Sequence, residues 1–147
     1  MILNFKMDKP IKNSVAYVIY TPNRSEFLIV QRPDNDEDLP GLWGLPAGSL
    51  KEGESFEDAV IRSGRQKLGV ELKVNELINE GKIERENYVL YMKEYVAEII
   101  EGIPRVPQIL EGVTQYQTWR WGISEDLKSA AEKGSLCCRL YLESIKR

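Results

Sequence analysis

Histidine is absent from this sequence of 147 residues, and only two cysteines are present. Without an imidazole the chain has neither a Ser-His-Asp triad nor an HExxH zinc site, so any proton transfer uses Asp, Glu, Lys or Tyr. The two cysteines, Cys137 and Cys138, are sequence neighbours, which excludes an ordinary disulfide between them and matches no zinc spacing. We expect both to be reduced and to pack in a helix.

Long apolar runs are also missing. The longest, such as residues 15–20 and 27–30, are far shorter than the roughly 20 residues that a membrane-spanning helix needs. Residues 1–6 lack the apolar stretch and cleavage site of a secretory signal, so we expect a cytoplasmic protein without a membrane partner. A net charge of -3 and a pI near 5.2 argue against nucleic acid as a partner. Any anion site must therefore be local.

What is present fits a single globular domain over residues 1–147, since 42% of the residues are hydrophobic. Segments 14–20 and 26–32 are rich in β-branched and aromatic residues, which predicts two strands that pair as a hairpin. The glycines and prolines of residues 33–48 predict a loop, and Trp43 lies in it.

The strongest helix signal covers residues 56–68. Ser55 and Asp58 form a capping-box pattern before it, and Gly69 is placed to end it. The remaining elements are predicted from periodicity and caps: strands at 71–78, 88–100 and 116–123, a helix from Ser124 to about residue 133, and a closing helix from Ser135. This order of strands and helices predicts an α+β fold in which helices cover a sheet.

Residues 48–54 read GSLKEGE, and they are followed by seven residues, by Arg62, and later by Leu68-Gly69-Val70. This spacing resembles the Nudix box, G-x5-E-x7-R-E-U-x-E-E-x-G-U, where U is aliphatic. Flanking segments are similar to the family as well, so the resemblance covers about residues 14–133. It implies an α/β/α sandwich with a mixed sheet and a loop–helix–loop box. It also implies a hydrolase of nucleoside diphosphate-linked compounds that uses Mg²⁺ or Mn²⁺.

The helical part of the box departs from this pattern. All three family glutamates are replaced, by Ser63, Gln66 and Lys67. At about 100° per residue these positions share a sector of about 140° with Arg62, so a carboxylate surface has become neutral and basic. Because Mg²⁺ prefers carboxylate oxygens and an ammonium opposes it, the usual metal site should be missing or very weak. A further family acid, placed before the last strand's tryptophan, is also absent from residues 115–121.

Glu54 is the one matched carboxylate of the box. Glu54 and Arg62 are the candidate catalytic residues, and Glu54 and Glu52 are the candidate metal ligands. The alternative for Glu54 is a structural ion pair with Arg62. Glu57 and Asp58 are interpreted as favourable charges at the helix N-terminus, and Glu111 is a more distant candidate.

A phosphorylated ligand would use other side chains, since guanidinium and ammonium groups bind phosphate directly and aromatic faces stack on bases. The candidates for ligand binding are Arg32, Trp43, Gly48, Arg65 and Lys67. Alternatively, Arg32 pairs with the acidic residues 34–38, and Arg65 and Lys67 are solvated. Gly64 costs about 1 kcal/mol relative to alanine in a helix. It indicates close approach of a backbone or ligand, or drift after loss of function.

Two functions remain open at this stage, with a purely structural domain as a third. The resemblance implies a pyrophosphohydrolase with Mg²⁺ or Mn²⁺ as cofactor. The residue chemistry favours a catalytically inactive module that binds a nucleotide or another phosphorylated small molecule without a cofactor. Members of the family often form dimers, so a homodimer is an expectation by resemblance.

Overall fold

The structure is a computed structural model that describes residues 9–147. Residues 1–6, whose composition argues against a secretory signal, lie outside this range. Within it, no helix combines the length and the apolar character needed to cross a membrane.

Short and long strands alternate with helices along the chain. The strands are β1 (Ile11–Val18), β2 (Phe27–Gln31), β3 (Trp43–Gly44), β4 (Ala47–Ser49), β5 (Glu71–Glu84), β6 (Val89–Glu101), β7 (Ile109–Leu110), β8 (Val113–Thr114) and β9 (Thr118–Gly122). The helices are α1 (Phe56–Ser63), α2 (Lys128–Glu132) and α3 (Leu136–Ser144).

β1 lies inside a mixed sheet of order β4-β1-β6-β5, antiparallel to β4 and parallel to β6. β2 belongs to a second, antiparallel sheet of order β3-β2-β9. The predicted hairpin between the first two strands is therefore wrong. The two segments share only the bridge between Tyr20 and Phe27, because β4 and β6 occupy both edges of β1.

Alternate residues of β1 and β2 enter two separate core layers. Tyr17 and Leu28 pack in the layer that α1 covers, whereas Val18 and Ile29 pack in the layer that α3 covers. Strands buried on both faces read as continuous apolar runs, which is what segments 14–20 and 26–32 show. Helices on both faces confirm the predicted α+β fold and its α/β/α sandwich.

The helix after the box loop begins as predicted, since Ser55 Oγ accepts a hydrogen bond from the backbone N–H of Asp58 at 3.1 Å. Its second half differs, because Gly64–Leu68 forms a wider π-helical turn before Gly69 ends it at φ 69°. An added Cβ at Gly64 would lie 2.5 Å from Leu72 Cδ1. The glycine therefore leaves room for the side chain of Leu72 in β5. The sequence alone leads us to expect a backbone or a ligand at this position.

Three further boundaries differ from the prediction. β3 and β4 are short strands inside the predicted loop 33–48, and β5 continues to Glu84 because it pairs with most of β6. The segment from Ser124 starts as a 3-10 turn and becomes α2 at Lys128. α3 follows Ser135 as predicted, and its two cysteines are free and buried.

One carboxyl group is buried without a partner in the layer next to α3. Glu94 of β6 is 0% exposed, and neither of its carboxyl oxygens has a hydrogen-bond partner within residues 9–147. Burial raises the pKa of Glu94 well above its ordinary value, because the charged form loses its hydration. The side chain is therefore neutral over a wider pH range than a surface glutamate.

We expect Gly64→Ala to lower the free energy of unfolding by about 1–3 kcal/mol, because the new methyl group overpacks against Leu72. In a Leu72→Ala background the same change should cost little, since the opposing side chain is gone and alanine is the better helix former. Urea denaturation of the four proteins measures this. An equal cost in both backgrounds would contradict the proposed contact.

The buried Glu94 predicts that stability falls as pH rises. Above pH 4.5, the ordinary pKa of the group, the unfolded chain ionises while the native carboxyl stays neutral. The wild type should then lose about 1.4 kcal/mol per pH unit relative to Glu94→Gln until the native group ionises. Urea denaturation between pH 4 and pH 8 tests this, and parallel pH profiles for the two proteins would refute it.

Candidate functional site

The loop before α1 is closed onto the helix by Glu54 and Arg62. Arg62 Nε donates to Glu54 Oε2 at 2.8 Å and Arg62 Nη2 to Glu54 Oε1 at 2.9 Å. The same guanidinium donates to Ser49 O at 2.6 Å and to Gln66 Oε1 at 2.9 Å. These hydrogen bonds lower the pKa of Glu54 and raise that of Arg62. Glu54 thus forms the ion pair with Arg62 that was the alternative expected for it.

Three donors converge on the carbonyl oxygen of Ala47 in β4. Lys67 Nζ lies 2.5 Å from this oxygen, Tyr116 Oη 3.2 Å and Ser63 Oγ 3.4 Å. Tyr116 Oη also accepts the backbone N–H of Ala47 at 3.0 Å, and Ser63 Oγ lies 2.8 Å from the hydroxyl of the fully buried Tyr17. Positions 63 and 67 of the box therefore face the same carbonyl group.

Gly48 allows this approach of the helix to β4. An added Cβ at Gly48 would lie 3.2 Å from Ser63 Oγ and 3.9 Å from Lys67 Nζ. Its place in the box is thus explained by packing against the helix.

The other predicted ligand-binding side chains have protein partners. Arg32 Nη1 lies 3.3 Å from Asp36 Oδ1, which is the alternative expected for it, and Arg65 pairs with Glu71 on an exposed surface. Trp43 packs against the α3-side core, and the Arg120 guanidinium lies 4.6 Å from its ring centroid. Trp43 is thus partly buried on the α3 side, because β3 pairs with β2.

The side chains at the box do not fit the divalent metal that the resemblance implies. Glu54 is held by Arg62, Glu52 is exposed in the turn, and Lys67 brings a positive charge to the Ala47 carbonyl. Within residues 9–147, no group of three or more His, Cys, Asp or Glu side chains is placed to hold a metal ion. Hard cations need several oxygen ligands, and this donor set supplies a neutral amide, a hydroxyl and an ammonium.

The other acidic residues considered near the box have structural partners or lie apart from the box. Glu57 accepts a hydrogen bond from Tyr95 Oη at 3.1 Å. Asp58 donates its backbone N–H to the cap at Ser55. Glu111 is exposed in the turn between β7 and β8, at a left-handed φ of 52°.

A cavity of about 470 Å³ opens on the α3 side of the sheet, and Ala47 lines it. Its basic residues are Arg32, Arg85 and Lys133, and its acidic residues are Asp38 and Glu86. The volume lies in the usual range for small-molecule sites. Since the side chain of Ala47 borders the cavity and its carbonyl group accepts from Lys67, this residue links the cavity to the box.

Sequence reasoning found Arg32 in this cavity but missed Arg85 and Lys133. A signal existed for the apolar wall, because Tyr88, just before β6, and Leu90 and Met92 of β6 alternate in sequence and all line the cavity. No sequence pattern connects Arg85 with Lys133. They meet because Arg85 Nη2 donates to Gly134 O at 3.1 Å, which joins the β5–β6 turn to the start of α3.

The two core layers and the loop–helix–loop box define a Nudix-type sandwich. The NUDIX domain model matches residues 10–116, and the chain belongs to the Nudix family. It is 26% identical over 110 residues to the nucleoside triphosphatase NudI of Escherichia coli, a match that covers 71% of this chain and 78% of NudI.

A second relative and a solved structure agree with this assignment. An uncharacterized Nudix hydrolase of Clostridium acetobutylicum is 37% identical over 76 residues, which span 50% of this chain and 36% of that protein. A Nudix hydrolase from Nitrosomonas europaea has the same fold, with a TM-score of 0.69 and 16% identity over 94% of this chain and 87% of its own.

We expect Glu54→Gln to lower the free energy of unfolding by about 1 kcal/mol at pH 7, because it weakens a bidentate ion pair. The pKa of Glu54 is lowered in the native state, so its stabilisation is present above pH 4.5, the ordinary pKa, and is lost as pH falls through the native pKa. Urea denaturation at several pH values measures this. Glu52→Gln is the matched control, and an equal loss in that variant would contradict the role of the pair.

Proposed function

We propose that this protein binds a phosphorylated small molecule, such as a nucleotide, in the cavity beside the box, and that binding needs no divalent metal. The observation that carries this proposal is a set of cations without counter-charges, of which Lys67 lies at the box, across β4 from the cavity. The Lys67 side chain is partly buried, and within residues 9–147 it forms no ion pair with a carboxylate. Arg32, Arg62 and Arg65, by contrast, each have one.

An ammonium group without a counter-charge favours an anion nearby, and phosphate accepts charge-assisted hydrogen bonds from it. In the cavity itself, Arg85 and Lys133 also lack ion-pair partners within residues 9–147. These two cations and the apolar wall beside them suit a ligand that carries phosphate and a ring. Tyr88 supplies an aromatic surface to this wall, and such surfaces stack on nucleobases.

Metal-dependent hydrolysis is the second candidate, favoured by membership of the family and by the relative named a nucleoside triphosphatase. It would require Glu54 to leave Arg62, or other carboxylates to take over the role of the missing glutamates. Mg²⁺ or Mn²⁺ would then be the cofactor, as is general in the family. The chemistry of the box supports metal-independent binding, because Ser63, Gln66 and Lys67 stand where the family has glutamates and supply no carboxylate.

A panel of nucleoside triphosphates, nucleoside diphosphate sugars, dinucleoside polyphosphates and ADP-ribose separates the two candidates. We expect no release of phosphate or nucleotide with Mg²⁺ or Mn²⁺. We expect at least one compound to raise the melting temperature in EDTA, since a ligand at 100 times its Kd adds about 2.7 kcal/mol of stability. Turnover that EDTA and Glu54→Gln both abolish would establish a hydrolase instead.

Lys133→Gln should weaken binding of the stabilising compound at least tenfold, because it removes an uncompensated ammonium from the cavity. Lys73→Gln is the matched control: it removes the same charge from an exposed site on β5, where the side chain is 63% exposed. Equal affinities of Lys133→Gln and the wild type would remove Lys133 from the site. If no compound stabilises the protein, a structural role for the domain replaces the proposal.

A further inference from the structure

The family pattern places a glutamate at position 67, and here a cation stands at the same place. The Lys67 ammonium lies 2.5 Å from Ala47 O and 5.6 Å from the centre of the Tyr116 ring. Position 67 thus contributes a positive charge held against a backbone oxygen, where the family contributes a negative charge that holds a positive ion.

The oxygen of the Ala47 carbonyl group attracts cations because it carries a partial negative charge. It accepts from three donors, and Lys67 is the one that carries a charge. The electron-rich face of the Tyr116 ring adds to this preference, since aromatic rings attract cations. The hydroxyl oxygens of Ser63 and Tyr116 also lie close to this carbonyl oxygen, at 3.4 Å and 3.2 Å.

Several contacts hold the ammonium in place. The π-helical turn of Gly64–Leu68 carries Lys67 towards β4, and Gly48 leaves room for the approach. Tyr116 Oη is fixed by the backbone N–H of Ala47 at 3.0 Å. The position of the charge is therefore set by the fold and does not depend on a bound ligand.

The geometry points to Lys67 as a resident cation at the Ala47 carbonyl that keeps this oxygen closed to Mg²⁺ and Mn²⁺. Like charges at such a short distance repel, so a metal ion enters only if the ammonium leaves. Only one consequence of this inference rests on the proposed function. If a phosphorylated ligand binds, a resident ammonium makes that binding independent of a metal ion.

Titration with Mn²⁺ alone, followed by the electron paramagnetic resonance signal of free Mn²⁺, tests this inference. Gln66→Glu/Lys67→Glu restores two of the family carboxylates and removes the ammonium, while Ser63 and its buried hydrogen bond to Tyr17 remain. We expect this variant to bind one Mn²⁺ at least tenfold more tightly than the wild type. Gln66→Glu/Lys73→Glu carries the same net charge and keeps Lys67, so it should bind no more tightly than the wild type.

Two results would overturn the inference. One is that the wild type binds Mn²⁺ as tightly as Gln66→Glu/Lys67→Glu does. The other is that the control Gln66→Glu/Lys73→Glu binds Mn²⁺ as tightly as Gln66→Glu/Lys67→Glu does. Lys67→Glu alone is titrated in parallel and should also bind at least tenfold more tightly than the wild type, so the question is answered even if the double variant does not fold. Because the probe is Mn²⁺ without any phosphorylated compound, the outcome is separate from the test of ligand binding.

Discussion

The burial of β1 on both faces is the constraint on which the rest of this structure depends. Its alternate side chains belong to two core layers, so α1 with the box lies on one side and α3 with the cavity on the other. β4 is hydrogen-bonded along the edge of β1, with Ala47 opposite Ala16. Ala47 therefore stands between the layers, with its carbonyl group towards the box helix and its side chain at the cavity.

The box retains its loop–helix–loop architecture, while the side chains of its helix change from acidic to neutral and basic. Arg62 still ties the helix to the loop through Glu54 and Ser49, which are contacts that need no metal. Beside it, Ser63, Gln66 and Lys67 form hydrogen bonds within the protein, to Tyr17, Arg62 and Ala47 respectively. A set of carboxylates would repel one another unless a cation were bound, whereas the present set satisfies its own hydrogen bonds. The fold is thereby kept without the ion that the family generally uses.

The cavity has a local balance of charge that differs from that of the whole chain. Basic residues outnumber acidic ones by three to two among its lining residues, although the chain as a whole carries a net charge of -3. Local positive charge of this kind is favourable for anionic small molecules. The buried carboxyl group of Glu94 lies on the same strand as Leu90 and Met92 of the cavity wall.

The sequence by itself determined those features that depend on spacing and local pattern. The box spacing indicated the family, Ser55 and Gly69 indicated the ends of the helical segment, and the apolar runs at 14–20 and 26–32 indicated two strands, although not their pairing. The pairing of Glu54 with Arg62 was also within reach, since eight residues of loop and helix bring them together. Only the tertiary structure decided which strands flank β1, why position 64 is glycine, and where the Lys67 ammonium lies. These features depend on contacts between distant segments, such as Gly64 with Leu72 and Lys67 with Ala47 and Tyr116, and no local pattern records which partner a side chain meets once the layers have packed.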